Sequence, residues 1–332
     1  MGSKDIQLAS AGEEEAVGLI QKYIDKPFKG ERLGPGDDAR DLIPRGTRIF
    51  LSTDGYSIRS AKLPWRSLGD VGYSVVAGTI SDIVSKGGIP YGILVNIGVL
   101  GDWSLGDIDE LYRGIRDACD EYYLKLLGGD TNVSSDPWIA VAAIGFSTAA
   151  YPPSRSGGKP GDLVIITGNR YGAMGIVSLD GIDEAKKHPW VIEYTRRPHI
   201  ELILANIIAT YSKLFHATMD VSDGLAFTLH TIATASNISI EINEIPHHPV
   251  ELDKYCNNNP KCIWDHILYG GEEYGVVLVI DNKYKDLVIE NLERYEVPYV
   301  IAGKTSEPPP RIVIKDYGEV KPHRWDQFKG WA

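Results

Sequence analysis

Tyr151-Pro152-Pro153-Ser154-Arg155-Ser156-Gly157-Gly158 lies near the middle of the 332-residue chain and interrupts regular structure at almost every position. Outward from it, helical and strand patterns alternate on both sides. Before it, Ser10-Ala11-Gly12-Glu13 reads as a capping box opening a first helix, with Ala16, Leu19 and Ile20 on its apolar face. Arg48 to Thr53 is a short apolar strand that should end at Asp54. Gly69 to Lys86 is helical, with Val71, Val75, Ile83 and Val84 as its apolar stripe and Gly72, Ala77 and Gly78 permitting close packing. A strand follows Ile89-Pro90 through Leu94, Val95 and Ile97, then a helix from about Ser104 to Tyr123 and a strand over Trp138 to Ser147. Beyond the break come strands at Leu163–Thr167, Ile238–Ile242 and Val276–Ile280, with helices near Glu201–Tyr211, Leu225–Ala235 and Tyr284–Tyr295. This alternation predicts two α/β (α+β) domains, residues 1–150 and 151–332.

Hydrophobic residues at 43% and charged residues at 24% fit a globular protein able to bury a full core. No run of 18 apolar residues is present, so no membrane partner is expected. The start, Met1-Gly2-Ser3-Lys4-Asp5-Ile6, lacks a signal peptide's apolar core and fails the myristoylation pattern at Ile6. Three cysteines, Cys119, Cys256 and Cys262, argue against a disulfide framework and for a cytoplasmic location. Cys256 and Cys262 lack a partnering Cys/His pair, so no zinc site is expected of them. A net charge of −11 excludes nucleic acid as a partner, because its binding requires basic groups at the phosphates. The same charge repels ATP unless cations bridge the carboxylates to the phosphates.

Carboxylates recur in tight glycine or serine settings: Gly36-Asp37-Asp38, Ser52-Thr53-Asp54, Ser81-Asp82, Gly128-Gly129-Asp130-Thr131 and Asp220-Val221-Ser222-Asp223-Gly224. Clustered carboxylate, hydroxyl and carbonyl oxygens suit Mg²⁺, which is usually held by a few carboxylates together with substrate phosphates. Each run also has a plain reading. Any single Asp-Gly marks a turn. Asp37 and Asp38 repel each other unless a cation or Arg40 compensates. Asp82, inside a helix, needs a metal if it faces the interior and is mere polar surface if it faces solvent. Asp223 serves as a helix cap, and Gly128-Gly129 as a simple turn or a close approach to phosphate. Gly172-Ala173-Met174-Gly175 is read as tight packing ahead of anion binding. No phosphate-gripping lysine motif is present, Gly157-Gly158-Lys159-Pro160 failing it, and no nucleophile elbow occurs.

The order of these runs resembles the thiamine-monophosphate kinase family, within the aminoimidazole ribonucleotide synthetase-like ATP-binding superfamily. The resemblance is carried further by Ser154-Arg155-Ser156-Gly157, Pro160-Gly161-Asp162, Gly270-Gly271-Glu272-Glu273-Tyr274 and Trp325-Asp326-Gln327-Phe328. It implies an amino-terminal mixed sheet with helices that pairs in a homodimer, and a carboxy-terminal α/β sandwich completing the ATP and substrate sites. It also implies Asp38, Ser52, Thr53, Asp54, Asp82, Asp130, Asp220 and Asp223 as the Mg²⁺ shell, and Gly129, Asp130, Arg155 and Ser222 as ATP contacts. Glu272 and Trp325 fall at the thiamine monophosphate site, where an indole ring suits a flat cationic thiamine. The implied reaction is phosphorylation of thiamine monophosphate by ATP to thiamine diphosphate. A phosphate acceptor is already ionised near neutral pH, so no general base is assigned.

Two departures fall near the acceptor. The family's His-Phe pair is replaced by Ser60-Ala61-Lys62-Leu63-Pro64, where Lys62 offers a cation for the substrate phosphate, and Gly-Gly-Glu-Asp-Tyr becomes Gly270-Gly271-Glu272-Glu273-Tyr274. The rival readings are another ATP-using enzyme of the superfamily, a Mg²⁺-dependent phosphatase and a nucleotide sensor. A selenophosphate synthetase would carry a reactive cysteine before Cys119, and a hydrogenase-maturation relative would end in cysteine rather than Gly330-Trp331-Ala332.

Overall fold

A computed structural model describes residues 6–11, 13–27, 29, 42–321, 325–326 and 330–331. The chain divides into two compact units, residues 1–83 with 88–147, and 84–87 with 148–332. Gly36-Asp37-Asp38 and Arg40 lie outside the described residues.

In the first unit the order is α1 (Leu8–Ala11), α2 (Glu13–Ile20), β1 (Arg48–Ser57), α3 (Ile58–Ala61), α4 (Leu68–Ser85), β2 (Ile89–Val99), α5 (Leu105–Glu121), β3 (Lys125–Val133) and β4 (Trp138–Ser147). The strands form one mixed sheet ordered β1-β4-β2-β3, in which only β2 and β3 run parallel. Strand alternation gives the sheet two unlike faces. Ile93, Val95, Ile97, Ile139 and Val141 are wholly buried on one, while Ile49, Leu51 and Leu94 stay exposed on the other.

Both long helices start at reciprocal caps. Ser67 Oγ accepts from Asp70 N at 3.1 Å while Asp70 Oδ2 accepts from Ser67 N at 3.0 Å, and Ser104 with Asp107 does the same for α5. The expected stripe Val71, Val75, Ile83 and Val84 is buried. Glycine lets α4 and α5 approach closely: a Cβ on Gly114 would lie 1.7 Å from Gly69 O, and one on Gly72 would lie 2.4 Å from Leu111 O. The box expected at Ser10 does not open the first helix, because Leu8–Ala11 is already helical.

The second unit contributes β5 (Leu163–Thr167), α6 (Ala173–Leu179), α7 (Ile182–Ala185), α8 (Pro189–Arg196), α9 (Ile203–Thr210), β6 (Phe215–Asp220) and α10 (Leu225–Ser236). After these come β7 (Ser239–Ile242), α11 (Val250–Tyr255), α12 (Pro260–Leu268), β8 (Val276–Ile280), α13 (Lys285–Arg294), β9 (Tyr299–Ser306), β10 (Arg311–Ile314) and β11 (Gly318–Glu319). A seven-stranded mixed sheet runs β11-β10-β7-β9-β5-β8-β6. Its centre is apolar throughout: Val276 to Ile280 are all buried, as are Val164, Ile165 and Ile166. A two-residue ladder pairs Trp325–Asp326 with Gly330–Trp331.

One expectation about the cysteines is corrected here. Cys256 and Cys262 form a local disulfide with Cα atoms 5.6 Å apart, because the turn between α11 and α12 folds them together. Cys119 is free and buried. No helix among the described residues is long and apolar enough to cross a membrane.

Gly114→Ala is expected to destabilise the fold by about 1–3 kcal/mol, because the added methyl meets backbone that cannot yield. Gly101→Ala, with no atom within 4 Å of the new Cβ, should leave the thermal midpoint unchanged. Equal midpoints for the two variants would contradict the tight crossing.

Candidate active site

In the first unit the carboxylates stand on the sheet and on α4. Asp54 lies within β1 opposite Val141, not at the strand's end as expected, because Gly55 continues the pairing opposite Ala140. Neighbours in register share a face. Ser52, opposite buried Ala143, and Asp54, opposite buried Val141, therefore share the inner face, while Thr53 is directed to the outer one. Ser52 Oγ donates to Asp82 Oδ2 at 2.6 Å, joining strand to helix. Asp82 is half-buried, between the two alternatives the sequence left open, and Ser81 beside it is buried. Asp54 Oδ1 accepts from Gly55 N at 2.7 Å.

Gly128 and Gly129 lie inside β3 rather than in a turn. A Cβ on Gly129 would lie 1.7 Å from Val95 O, so a bare backbone is required where β3 meets β2. Asp130 is exposed and oriented by its neighbours, accepting from Thr131 N and Asn132 Nδ2, both at 2.9 Å. The row Asp54–Val141–Val95–Gly129 crosses the whole sheet. Asp130 thus sits on the opposite edge from Asp54, three strand spacings or roughly 14 Å away. One chain's sheet does not bring these two carboxylates to the same ion.

In the second unit two loops are laced together by their backbones. Val221 N donates to Gly275 O at 2.8 Å, Tyr274 N to Val221 O at 2.9 Å and Glu272 N to Ser222 O at 2.8 Å. Asp220, at the end of β6, is buried; Ser222, Asp223 and Glu272 are half-buried beside it. Asp223 is not the helix cap. Gly224 takes that position at φ 99°, and no side chain caps α10. Glu272 and Tyr274 hold positive φ values of 55° and 47°, a conformation disfavoured for both, which the three cross-loop bonds maintain.

Glu273 has a supporting role. Its Oε1 accepts from Gly172 N, at the start of α6, at 2.8 Å. Its Oε2 is buried with no partner among the described residues. Burial raises its pKa well above the ordinary carboxylate range, with the Gly172 N–H only partly opposing. The departure from the family's Gly-Gly-Glu-Asp-Tyr therefore falls on a residue that braces the loop from behind. Tyr171, also pushed up chiefly by burial, donates to Thr167 O at 2.9 Å in the same support. Gly175 is a packing residue as expected, since a Cβ there would lie 2.1 Å from His266 O.

Arg155 is exposed on the segment that joins β4 to β5 in sequence, and Ser154 and Ser156 flank it. Those serines line an open pocket of about 530 Å³ with Lys159, Lys213 and His216. His216 Nδ1 lies 2.7 Å from Asp162 Oδ2. The sequence alone leaves open whether His216, with no motif around it, does more than pack, whereas Lys159 and Asp162 flank the readable Pro160-Gly161. Lys62 is exposed just after α3, where its backbone N–H donates to Ile58 O at 3.0 Å. Trp325 is placed only by its ladder with Trp331, and its ring lies outside the described structure.

Comparison with known proteins fixes the class. Residues 36–147 match the AIR synthase related protein N-terminal domain, and residues 159–315 match the AIR synthase related protein C-terminal domain. The chain is thus an AIR-synthase-related protein carrying both domains of that fold. Thiamine-monophosphate kinase of Bacillus subtilis is 30% identical over 255 residues, covering 74% of this chain and 76% of that protein. The Nitrosopumilus maritimus enzyme of the same name is 27% identical over 320 residues, covering 94% and 99%. A solved structure described as AaThiL complexed with AMPPCP and TMP superposes with a TM-score of 0.72 at 23% identity, covering 97% of this chain and 99% of that one. The chain belongs to the thiamine-monophosphate kinase family.

The buried Glu273 makes stability depend on pH. Its native state holds a proton that the unfolded chain releases, so its contribution to stability falls as pH rises from the ordinary carboxylate range through the raised native value. Glu273→Gln keeps the acceptor for Gly172 N and removes the titration. Its thermal midpoint should gain on that of the parent between pH 4.5 and neutrality. Parallel profiles for the two proteins would contradict a protonated Glu273.

Proposed function

We infer that the chain phosphorylates thiamine monophosphate with ATP to give thiamine diphosphate and ADP. The observation that carries this reading is family membership joined to the two carboxylate groups: Ser52, Asp54 and Asp82 in one unit, and Asp220, Ser222, Asp223 and Glu272 in the other. The solved relative named above carries AMPPCP, an ATP analogue, together with TMP.

The donors are hard oxygens, the chemistry that suits Mg²⁺. In this reading Asp38, Ser52, Asp54, Asp82, Asp130, Asp220 and Asp223 would hold the ions. Thr53, whose side chain is directed to the other face, would take part only through its backbone. Bound Mg²⁺ supplies charge neutralisation between two anionic reactants and stabilises charge developing on the transferred group.

The protein's own work is positioning. Gly129 leaves the β3 backbone bare beside Asp130 for the nucleotide, and Arg155 and Ser222 would meet the phosphates. Lys62, exposed in the stretch that replaces the family's His-Phe pair, would meet the acceptor phosphate, and Glu272 and Trp325 the thiamine. No side chain need remove a proton, since the acceptor oxygen is already anionic.

The amino-terminal domain is assigned ATP and Mg²⁺ binding and dimerisation, and the carboxy-terminal domain completes both sites. The outer sheet face supports a homodimer: Ile49 is 58% and Leu51 77% exposed, an apolar surface that a second copy would cover. Pairing would also offer Asp130, remote from Asp54 in its own sheet, a route into a shared site. A cytoplasmic location is part of this reading, since ATP is abundant there.

The test follows ADP and thiamine diphosphate together with thiamine monophosphate, ATP and Mg²⁺ present. Equal amounts of both products are expected. Asp54→Asn and Asp82→Asn should each lower turnover at least about a hundredfold with circular dichroism unchanged. ADP without thiamine diphosphate would redirect the search to another acceptor, and full activity in the variants would remove these carboxylates from the site.

A further inference from the structure

The turn between α11 and α12 gathers a donor set that the proposed phosphotransfer does not use. Cys256 closes α11, Cys262 lies in the first turn of α12, and His266 follows one turn later. The sulfur of Cys256 lies 3.8 Å and that of Cys262 3.7 Å from His266 Nδ1. All three ligand atoms fall within 4.8 Å of one another. We propose that Cys256, Cys262 and His266 form a Zn²⁺ site that opens when the Cys256–Cys262 disulfide is reduced.

The distances have the required size. Zinc bonds of about 2.3 Å to sulfur and about 2.0 Å to nitrogen place sulfur and nitrogen about 3.5 Å apart around a tetrahedral ion. Only the two sulfurs must part, and reduction permits that. The imidazole is already held from behind. His266 Nε2 lies 2.7 Å from Asp180 Oδ2, which also accepts from Tyr255 Oη at 2.6 Å. A carboxylate on the far nitrogen is the usual way a zinc-bound histidine is oriented.

Burial fits too. Cys256 is 4% and His266 6% exposed, whereas Cys262 is half-buried and leaves water access to the fourth position. In the disulfide form Nδ1 contacts Cys262 O at 2.8 Å, a contact exchanged for the ion.

The chemistry balances. A dithiol reductant gives two electrons and two protons to the bridge, yielding two thiols, and itself becomes a disulfide. Zn²⁺ then displaces both thiol protons and any proton on Nδ1, leaving two thiolates and a neutral imidazole around the dication. A reducing compartment would favour the thiol form. Cys119 does not compete, because burial pushes its thiol up to about 12. Helix α12 leads directly into Gly270-Gly271-Glu272, so the ion would fasten α11 to α12 just ahead of that loop.

The test is a Co²⁺ titration of the full chain after phosphine reduction and removal of the reductant under anaerobic conditions. One Co²⁺ per chain should bind with thiolate-to-cobalt charge-transfer absorption and intense tetrahedral visible bands, and Zn²⁺ should displace it. Carboxylate-bound Co²⁺ gives no such charge transfer, so the aspartate sites do not imitate the signal. The bands should be absent from the oxidised protein and from Cys262→Ser, and Asp180→Asn should weaken binding by about 10–100-fold. A reduced protein without thiolate bands, or Cys262→Ser with undiminished bands, would overturn the proposal. A second measurement needs no variant. Zn²⁺ should slow alkylation of Cys262 in the reduced wild-type chain, mapped by mass spectrometry, and an unchanged rate would overturn the site equally.

Discussion

Three backbone hydrogen bonds, linking Val221 and Ser222 to Glu272, Tyr274 and Gly275, fix the most demanding part of this molecule. They hold two non-glycine residues in the left-handed region and bring Asp220, Ser222, Asp223 and Glu272 onto adjoining loops. A cluster of carboxylates does not assemble by attraction among its members. It must be imposed by something indifferent to their charge, and a backbone ladder is such a device. Glu273 supplies the backing: burial raises its pKa well above the ordinary carboxylate range, which favours the neutral form as it braces the loop.

The first unit solves the same problem with strand register. Ser52 and Asp54 share the inner face because they alternate along β1, and Ser52 ties the strand to Asp82 on α4. Rigid elements rather than loops carry these oxygens, which suits a reaction whose catalysis consists of placing two anions in line. Under the proposed reaction, the chain's net charge of −11 would favour phosphates that arrive with their cations.

Much of this was legible in the sequence because apolar periodicity is a local signal. Trp138–Ser147, Leu163–Thr167 and Val276–Ile280 appear as strands with the expected limits, and the buried stripe of α4 lies where its spacing put it. The errors fell where glycine and aspartate serve tertiary packing while imitating turns. Asp54-Gly55 and Gly128-Gly129 read as breaks, yet both continue strands because a neighbouring strand passes too close for a side chain, Val95 O against Gly129 above all. Asp223 resembled a cap, but the positive φ of Gly224 turns the chain first. Helices α11 and α12 were hidden by the run Cys256-Asn257-Asn258-Asn259-Pro260. One signal there was readable: Asn259 caps α12, its Oδ1 accepting from Lys261 N at 3.0 Å, with Pro260 at the first helical position. The meeting of Cys256, Cys262 and His266 depends on those two helices and could not be read without them.

The central claim is that carboxylates act through cations beyond the one that accompanies ATP. It is tested most directly by the rate of thiamine diphosphate formation as free Mg²⁺ rises at a fixed, saturating concentration of MgATP. The account predicts that the rate keeps climbing with free Mg²⁺ after all ATP is complexed, and that this added dependence weakens in Asp54→Asn. A rate that saturates with MgATP alone and ignores further Mg²⁺ in both proteins would contradict it.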